Sequence, residues 1–101
     1  MKAQGKTIVI FRTYKKEGDV IALFPELPAD SSRHHCLSYQ SIGQHGAASC
    51  YIDHDTRPAT KKEAETLAKE LRQIGYRLEV RKRLSRAMDS RRIYSMQSAA
   101  S

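Results

Sequence analysis

The segment from Thr60 to Gly75 is the feature that most limits how this chain can fold. It opens with Thr60-Lys-Lys-Glu63, a capping box in which the threonine and glutamate side chains each accept a hydrogen bond from a free backbone N–H. Gly75 stands where a glycine commonly ends a helix. The pattern therefore predicts one amphipathic helix that covers a sheet face. Its apolar stripe consists of Ala64, Leu67, Ala68, Leu71 and Ile74.

Four short segments are predicted to be β-strands. Thr7 to Tyr14 is rich in β-branched and aromatic residues, and its apolar run indicates a central strand covered on both faces. Val20 to Phe24 follows a short polar turn as a hairpin partner, and Pro25 ends it. His34 to Ser41 and Tyr76 to Arg81 alternate in polarity, which is typical of strands with one buried face.

The order of these elements is β-β-β-α-β and predicts an α+β fold. The simplest packing is a two-layer, antiparallel-rich sheet with one covering helix. Residues 1–84 are predicted to form a single α+β domain, and residues 85–101 a basic, flexible C-terminal tail because their apolar pattern fails. A weak basic helix that forms on a partner is the alternative for this tail. Its residues would be Leu84, Met88, Arg91 and Arg92.

Residues 42–59 show no sustained period and are predicted to form a long loop, with or without a short strand at Ser49 to Ile52. Gly43 and Gly46 bracket His45, whose imidazole could act as an acid, a base or a ligand near neutral pH. Such a bracket is also common in plain turns, so a turn is favoured over a site. A histidine displayed on that turn is expected to serve recognition before chemistry. The residues predicted to contact a partner are Gln44, His45, Asp53, His54 and Arg57.

The sequence predicts no catalytic, cofactor-binding or metal-binding residues. Asp53-His54-Asp55 and the pair His34-His35 offer ligand atoms, but a zinc site needs three or four converging ligands. Neighbours in a strand point to opposite faces, so the two histidines are poorly placed to share an ion. Cys36 and Cys50 are expected to be reduced thiols, because the first residues lack a secretory signal; a disulfide between them is the alternative.

The net charge of +7 is concentrated in the second part of the chain. Residues 1–59 carry seven Lys or Arg against six Asp or Glu, whereas residues 60–101 carry eleven against five. A localised positive field attracts polyanions, although basic residues also improve solubility and protect an edge strand. The residues predicted to bind nucleic acid are Arg77, Arg81, Lys82, Arg83, Arg86, Arg91 and Arg92.

No membrane-spanning segment is expected, because the longest apolar run, Ile8 to Phe11, is far shorter than the roughly 20 residues that a spanning helix needs. A cytoplasmic location is the resulting expectation.

Six short motifs between residues 7 and 83 resemble a group of small uncharacterised proteins of bacterial, plasmid and phage genomes. This resemblance implies no particular activity, but it suggests an accessory protein of a mobile element. The motifs are Val9-Ile-Phe-Arg12, Gly18-Asp-Val-Ile-Ala-Leu-Phe-Pro-Glu26, Ser38-Tyr39, Gly43-Gln-His-Gly46, Thr56-Arg-Pro-Ala-Thr60 and Ile74-Gly-Tyr76.

The turn Phe24-Pro-Glu-Leu-Pro28, with the Thr60 cap and the helix that begins Glu63-Ala64, also resembles the HicB-like antitoxins. That resemblance implies a β-β-β-α-β, partial ribonuclease-H-like fold without catalysis of its own, and a small toxin ribonuclease as partner. This chain differs from that family in its basic charge and in the about thirty residues between Asp30 and Thr60.

Together these observations favour a small non-enzymatic binding or regulatory module that docks on a protein or ribonucleoprotein partner, as a defence antagonist or an antitoxin-like regulator. Direct nucleic-acid binding through the basic last strand and tail is the alternative. A third hypothesis is a small enzyme that uses His45 with Asp53, His54 or Asp55. A homodimer is left open, and no cofactor is expected.

Overall fold

The computed structural model describes residues 6–40, 44–50 and 54–100 and contains one mixed sheet with two helices. The sheet has the spatial order β4-β3-β2-β1-β5, and β6 also pairs with β1. All strand pairs are antiparallel except β1 with β6. The predicted α+β class is confirmed. The elements are β1 (Thr7–Tyr14), β2 (Val20–Phe24), β3 (His35–Gln40), β4 (Gln44–Ser49), β5 (Thr56–Pro58), α1 (Lys61–Ile74), β6 (Leu78–Val80) and α2 (Arg86–Ala100).

The predicted central position of β1 is confirmed. It pairs with β2 along one edge, and with both β5 and β6 along the other. Val9 and Phe11 face α1 and are buried, while Ile10 between them is buried on the opposite face. Because successive side chains of a strand point to opposite faces, the continuous apolar run of β1 serves two cores.

Helix α1 covers the first face as predicted. The capping box is formed, since Glu63 N donates to Thr60 Oγ1 at 3.1 Å and Thr60 N donates to Glu63 Oε1 at 2.9 Å. Gly75 has a φ of 127°, which a side chain disfavours, and its N–H bonds to the carbonyls of Leu71 and Arg72. The buried residues of α1 are Ala64, Leu67, Ala68 and Leu71, and they pack against apolar residues of β1, β2 and β3.

The prediction of a single covering helix is incomplete, because α2 packs on the other face of the sheet. Residues 86–100, predicted as a flexible tail, are helical. Met88 is buried among Ile10, Leu23 and Cys36, and Arg92 is fully buried. No regular apolar stripe attaches this helix to the sheet, so the hydrophobic periodicity of the sequence does not predict it.

Two further strands lie in the segment predicted as a loop over residues 42–59, so that prediction is wrong for the described part of it. Strand β4 consists of Gln-His-Gly-Ala-Ala-Ser, residue types with little strand preference, and its pairing with β3 overrides that weakness. Strand β5 ends with Pro58, which an edge strand accepts because one side of its backbone needs no partner. Residues 51 and 52 of the short predicted strand lie outside the described residues.

None of the described helices combines the length and the apolar character needed to cross a membrane.

Candidate functional site

Strands β5 and β6 pair with the same edge of β1 and diverge there as a fork, next to a groove beside α1. Strand β5 pairs with Arg12 to Tyr14, at the C-terminal end of β1, and β6 pairs with Thr7 to Val9, at its N-terminal end. The last contacts before the fork are Ala59 N to Phe11 O at 3.1 Å and Arg81 N to Val9 O at 2.9 Å. After Ala59 the chain leaves the sheet and enters α1, and after Arg81 it leaves the sheet and continues towards α2.

The space over this fork is a groove of about 730 Å³ between β5, α1 and β6, called the α1–β6 groove below. Its apolar residues come from the sheet, the β5–α1 connection and α1, and Val80 is the most conspicuous of them because 54% of this residue is exposed. A large exposed apolar residue beside a groove is a common mark of a binding surface. The apolar lining residues are Phe11, Pro58, Ala59, Ala64, Ala68 and Val80.

The polar side of the α1–β6 groove is mainly basic. Four basic residues line it, Lys61 and Arg72 from α1 and Arg81 and Lys82 from the chain after β6, and Glu65 is the single acidic lining residue. Arg81 is tied back by Glu79, whose Oε2 accepts from Arg81 Nε at 2.8 Å. The groove therefore combines an apolar floor with a positive field, a combination that suits an anionic and partly apolar ligand.

The start of α1 is held against the sheet by a network around Glu63. Its carboxylate accepts from Arg57 Nη1 at 2.8 Å, and Oε1 also accepts from Thr13 Oγ1 at 3.2 Å and from the backbone N–H of Thr60. The hydrogen bonds from Arg57 chiefly, and then those from Thr60 and Thr13, lower the pKa of Glu63 to about 2. This network positions the helix end that forms one wall of the groove.

His45 does not lie in a loop but on the edge strand β4, on the α1 face of the sheet. Its Nε2 is 2.8 Å from the hydroxyl of Tyr76, and its ring meets the ring of Tyr39 edge-on with 4.9 Å between centroids. Tyr76 stacks on Phe24 at 5.0 Å. The imidazole thus links Tyr76, which follows α1, to Tyr39 of the sheet, and this contact is structural.

The same cluster fixes the far end of α1. The hydroxyl of Tyr39 donates to Glu70 Oε1 at 2.8 Å, and this hydrogen bond, followed by burial, raises the pKa of Tyr39. Burial raises the pKa of Tyr76. A tyrosine with its ordinary pKa of 10.0 is already protonated at neutral pH, and both shifts favour this form further, so the phenols act as hydrogen-bonding and stacking groups.

The other residues predicted to contact a partner do not form one surface with His45. Gln44 pairs with Gln40 at the start of β4. His54 lies in the exposed turn before β5, beside Tyr14 and Lys15, and Arg57 is engaged by Glu63. Asp53 lies outside the described residues. Of the four that the structure describes, Arg57 alone lies next to the α1–β6 groove, through its hydrogen bond to Glu63 at the start of α1.

The residues predicted to bind nucleic acid are dispersed. Arg81 and Lys82 line the groove, and Arg77, Arg83 and Arg86 are exposed. Arg91 pairs with Glu26 at 2.9 Å on the α2 face. Arg92 is buried and donates to the carbonyls of Pro25 and Arg33, so its side chain is not available to a polyanion.

The described residues contain no group of three or more His, Cys, Asp or Glu side chains that could hold a metal ion. The residues that line the α1–β6 groove include no His, Cys or Asp, and the Thr60 hydroxyl among them is used in the helix cap.

The sequence reasoning missed the contribution of α1 to this site, although a signal was present. Lys61, Glu65, Ala68 and Arg72 recur at i, i+4, i+7 and i+11, which places them on one side of the helix beside its buried stripe. The exposure of Lys61, Glu65 and Arg72 follows from this spacing, whereas Ala68 belongs to the buried stripe. The position of these residues opposite Arg81 and Lys82 depends on the sheet topology.

Family models, curated proteins and solved structures were all compared with this chain, and none of them matches it.

Proposed function

We propose that this protein is a non-enzymatic binding module that docks an acidic, partly apolar segment of a protein partner in the α1–β6 groove. The observation that carries the proposal is an apolar groove floor flanked by four basic side chains, of which Arg81 is paired with Glu79. An accessory role in a mobile element, as a defence antagonist or an antitoxin-like regulator, belongs to the same proposal and rests on the sequence resemblances alone.

The apolar floor supports a partner that contributes apolar side chains. Val80 is 54% exposed, so burying the exposed part of this side chain contributes about 1 kcal/mol, roughly half of the value for a fully exposed apolar residue of this size. Val80 belongs to β6, which pairs only with β1 among the described strands, so the outer edge of this strand can also offer backbone groups to an extended segment.

The basic residues at the rim of the α1–β6 groove, Lys61, Arg72 and Lys82, are the reason to expect acidic residues in that segment. Lys61 and Arg72 stand on one wall, and Lys82 stands on the other. Carboxylates placed between them would meet positive charge from both sides, which steers association and fixes orientation.

A protein segment fits this site better than a nucleic acid does. Single-stranded nucleic acid binds by stacking its bases on exposed aromatic rings, and the one aromatic residue that lines the groove, Phe11, is only 6% exposed. A purely electrostatic contact with phosphates would also leave the apolar floor unused.

Photo-crosslinking in the native host tests the proposal. A photoreactive phenylalanine analogue at Val80 is expected to link to a partner through a peptide that contains Asp or Glu and apolar residues. The same analogue at Ile74, which is equally exposed on α1 but does not line the groove, is the matched control and is expected to give no such product.

A paired charge reversal on α1 tests the rim. Lys61→Glu with Arg72→Glu is expected to abolish the Val80 crosslink, because it places negative charge against the acidic segment. Lys62→Glu with Lys69→Glu makes the same change in net charge on the same helix outside the groove and is expected to leave the crosslink intact. Equal loss in both variants would reduce the effect to overall charge and overturn the proposal.

Three crosslinking results would contradict the proposal. A product that ribonuclease or deoxyribonuclease removes would favour the nucleic-acid alternative, and a product between two copies of this chain would favour a homodimer. A product with a basic segment would remove the charge argument.

A further inference from the structure

The two cysteines of the chain lie side by side beneath α2, although 14 positions separate them in the sequence. In the β3–β4 register Cys36 faces Ala48, and Cys50 N donates to His34 O at 2.9 Å. The side chains of Cys36 and Cys50 therefore lie diagonally across the two strands on one face, where Met88 of α2 covers them. Both are free thiols and both are buried.

The two thiols differ in exposure and in acidity. Cys36 is completely buried, whereas Cys50 is 7% exposed. A hydrogen bond between the Cys36 and Cys50 side chains, together with burial, raises the pKa of Cys36. The same bond, with the positive charge of Arg92, lowers the pKa of Cys50 against the opposing effects of burial and Asp89. Of the two thiols, that of Cys50, the more exposed residue, is therefore the easier to deprotonate.

Arg92 provides a fixed positive charge beside the pair. Its side chain is buried, Nη1 donates to Pro25 O at 2.7 Å, and Nη2 donates to Arg33 O at 3.0 Å. Burial tends to lower the pKa of this guanidinium, but Asp89 and the two nearby sulfurs outweigh that effect and raise it. Its Nε is buried without a hydrogen-bond partner among the described residues, although two carbonyls and a carboxylate hold the rest of the group.

We propose that Cys36 and Cys50 form a redox-active dithiol, in which Cys50 reacts with a hydroperoxide and Cys36 resolves the product to an intramolecular disulfide. The asymmetry of the pair assigns the roles, because the reacting sulfur must be reached from solvent and the resolving sulfur must only touch its neighbour. Hydrogen peroxide is small enough to reach a residue that is 7% exposed, and the guanidinium of Arg92 stabilises the Cys50 thiolate that attacks the peroxide.

The chemistry balances in two steps. The Cys50 thiolate attacks one peroxide oxygen, so that an S–O bond forms, the O–O bond breaks and hydroxide leaves to become water with the proton released by the thiol. The Cys36 sulfur then attacks the sulfenic sulfur of Cys50, an S–S bond forms, the S–O bond breaks, and hydroxide leaves with the Cys36 proton as a second water. Two thiols and one peroxide give one disulfide and two waters.

The test follows the folded full-length protein during treatment with hydrogen peroxide. Intact mass is expected to fall by two hydrogens per chain, and peptide mapping without reductant is expected to show Cys36 linked to Cys50 within one molecule. Circular dichroism recorded in parallel shows that the reaction takes place without unfolding. A folded protein that keeps both thiols, or that forms only links between molecules, overturns the proposal.

Single substitutions test the two roles. Cys36→Ser is expected to leave Cys50 as a sulfenic acid that dimedone traps, whereas Cys50→Ser is expected to leave the buried Cys36 unmodified under the same treatment. Equal trapping in both variants contradicts the assignment. If serine disrupts the core, Cys36→Ala and Cys50→Ala carry the same comparison, because alanine suits an apolar site. This test is independent of the groove, so the two proposals can fail separately.

Discussion

The two faces of the sheet are covered by helices that are attached in different ways. Helix α1 buries a regular row of four apolar residues and begins with a complete capping box. Helix α2 has no such row; Met88 and the side chain of Arg92 are its buried residues in the described part of the chain. The first face is held by non-directional apolar burial, and the second depends on directional hydrogen bonds to a buried charge.

This contrast explains why one helix can be recognised from the sequence and the other cannot. An apolar stripe requires several residues at fixed spacing, so it leaves a periodic record. A buried arginine is a single residue, and its partners Pro25 and Arg33 lie far away in the sequence. Until those partners are known, an arginine reads as a surface residue.

The largest expected effect is the loss of the α2 anchor. Arg92→Ala should lower the free energy of unfolding by about 4 kcal/mol, because it removes the donor to the carbonyls of Pro25 and Arg33 and breaks the ion pair with Asp89. Urea unfolding followed by circular dichroism measures the change. Arg91→Ala, which removes the exposed pair with Glu26, is the matched control and should cost at most about 1 kcal/mol. Equal small losses in both variants would mean that Arg92 does not anchor the helix.

The next effect tests the apolar attachment of α1. Leu71→Ala should lower the free energy of unfolding by about 3 kcal/mol, because Leu71 is fully buried and its removal leaves a cavity against the sheet. Ile74→Ala on the same helix removes an apolar residue that is 53% exposed and should have a much smaller effect. If both substitutions cost the same in urea unfolding, the buried stripe is not what holds α1.

A smaller effect is expected at the helix starts. Thr60→Ala should cost about 1 kcal/mol, because it removes the oxygen that accepts from Glu63 N. Ser85 Oγ accepts from Met88 N in the same way at the start of α2, so Ser85→Ala should have a similar cost. Thr60→Ser and Ser85→Thr keep the accepting hydroxyl oxygen, so these variants should retain most of the wild-type stability. A loss that the conservative variants share would point to packing instead of capping.

The smallest expected effect is a dependence on pH. The folded pKa of Glu63, about 2, lies below its ordinary value of 4.5, so its contribution to stability is present above pH 4.5 and is lost as the pH falls towards 2. Urea unfolding between pH 7 and pH 2 should therefore show Glu63→Gln less stable than wild type at neutral pH, with the difference shrinking below pH 4.5. A difference that stays constant with pH would contradict the ion-pair network with Arg57.

The candidate site was only partly foreseeable. The exposure of Lys61 and Arg72 follows from helical spacing, and that of Arg81 and Lys82 from the end of a strand with one charged face. Their meeting across one groove depends on β5 and β6 sharing an edge of β1, which no local pattern reports. His45 shows the reverse, because the glycines around it indicated a displayed loop, whereas pairing of β4 with β3 turns its ring towards Tyr39 and Tyr76.

By itself, the sequence determined the elements whose signal is local: the capped helix α1, the central strand β1 with its hairpin partner β2, and the alternating strands β3 and β6. Spacing and capping act over a few residues, so they can be read directly. The tertiary structure alone decided that β4 and β5 are strands, that α2 covers the second face, and that Cys36 meets Cys50 beneath it. These features depend on partners that are distant in the chain, and only packing brings such partners together.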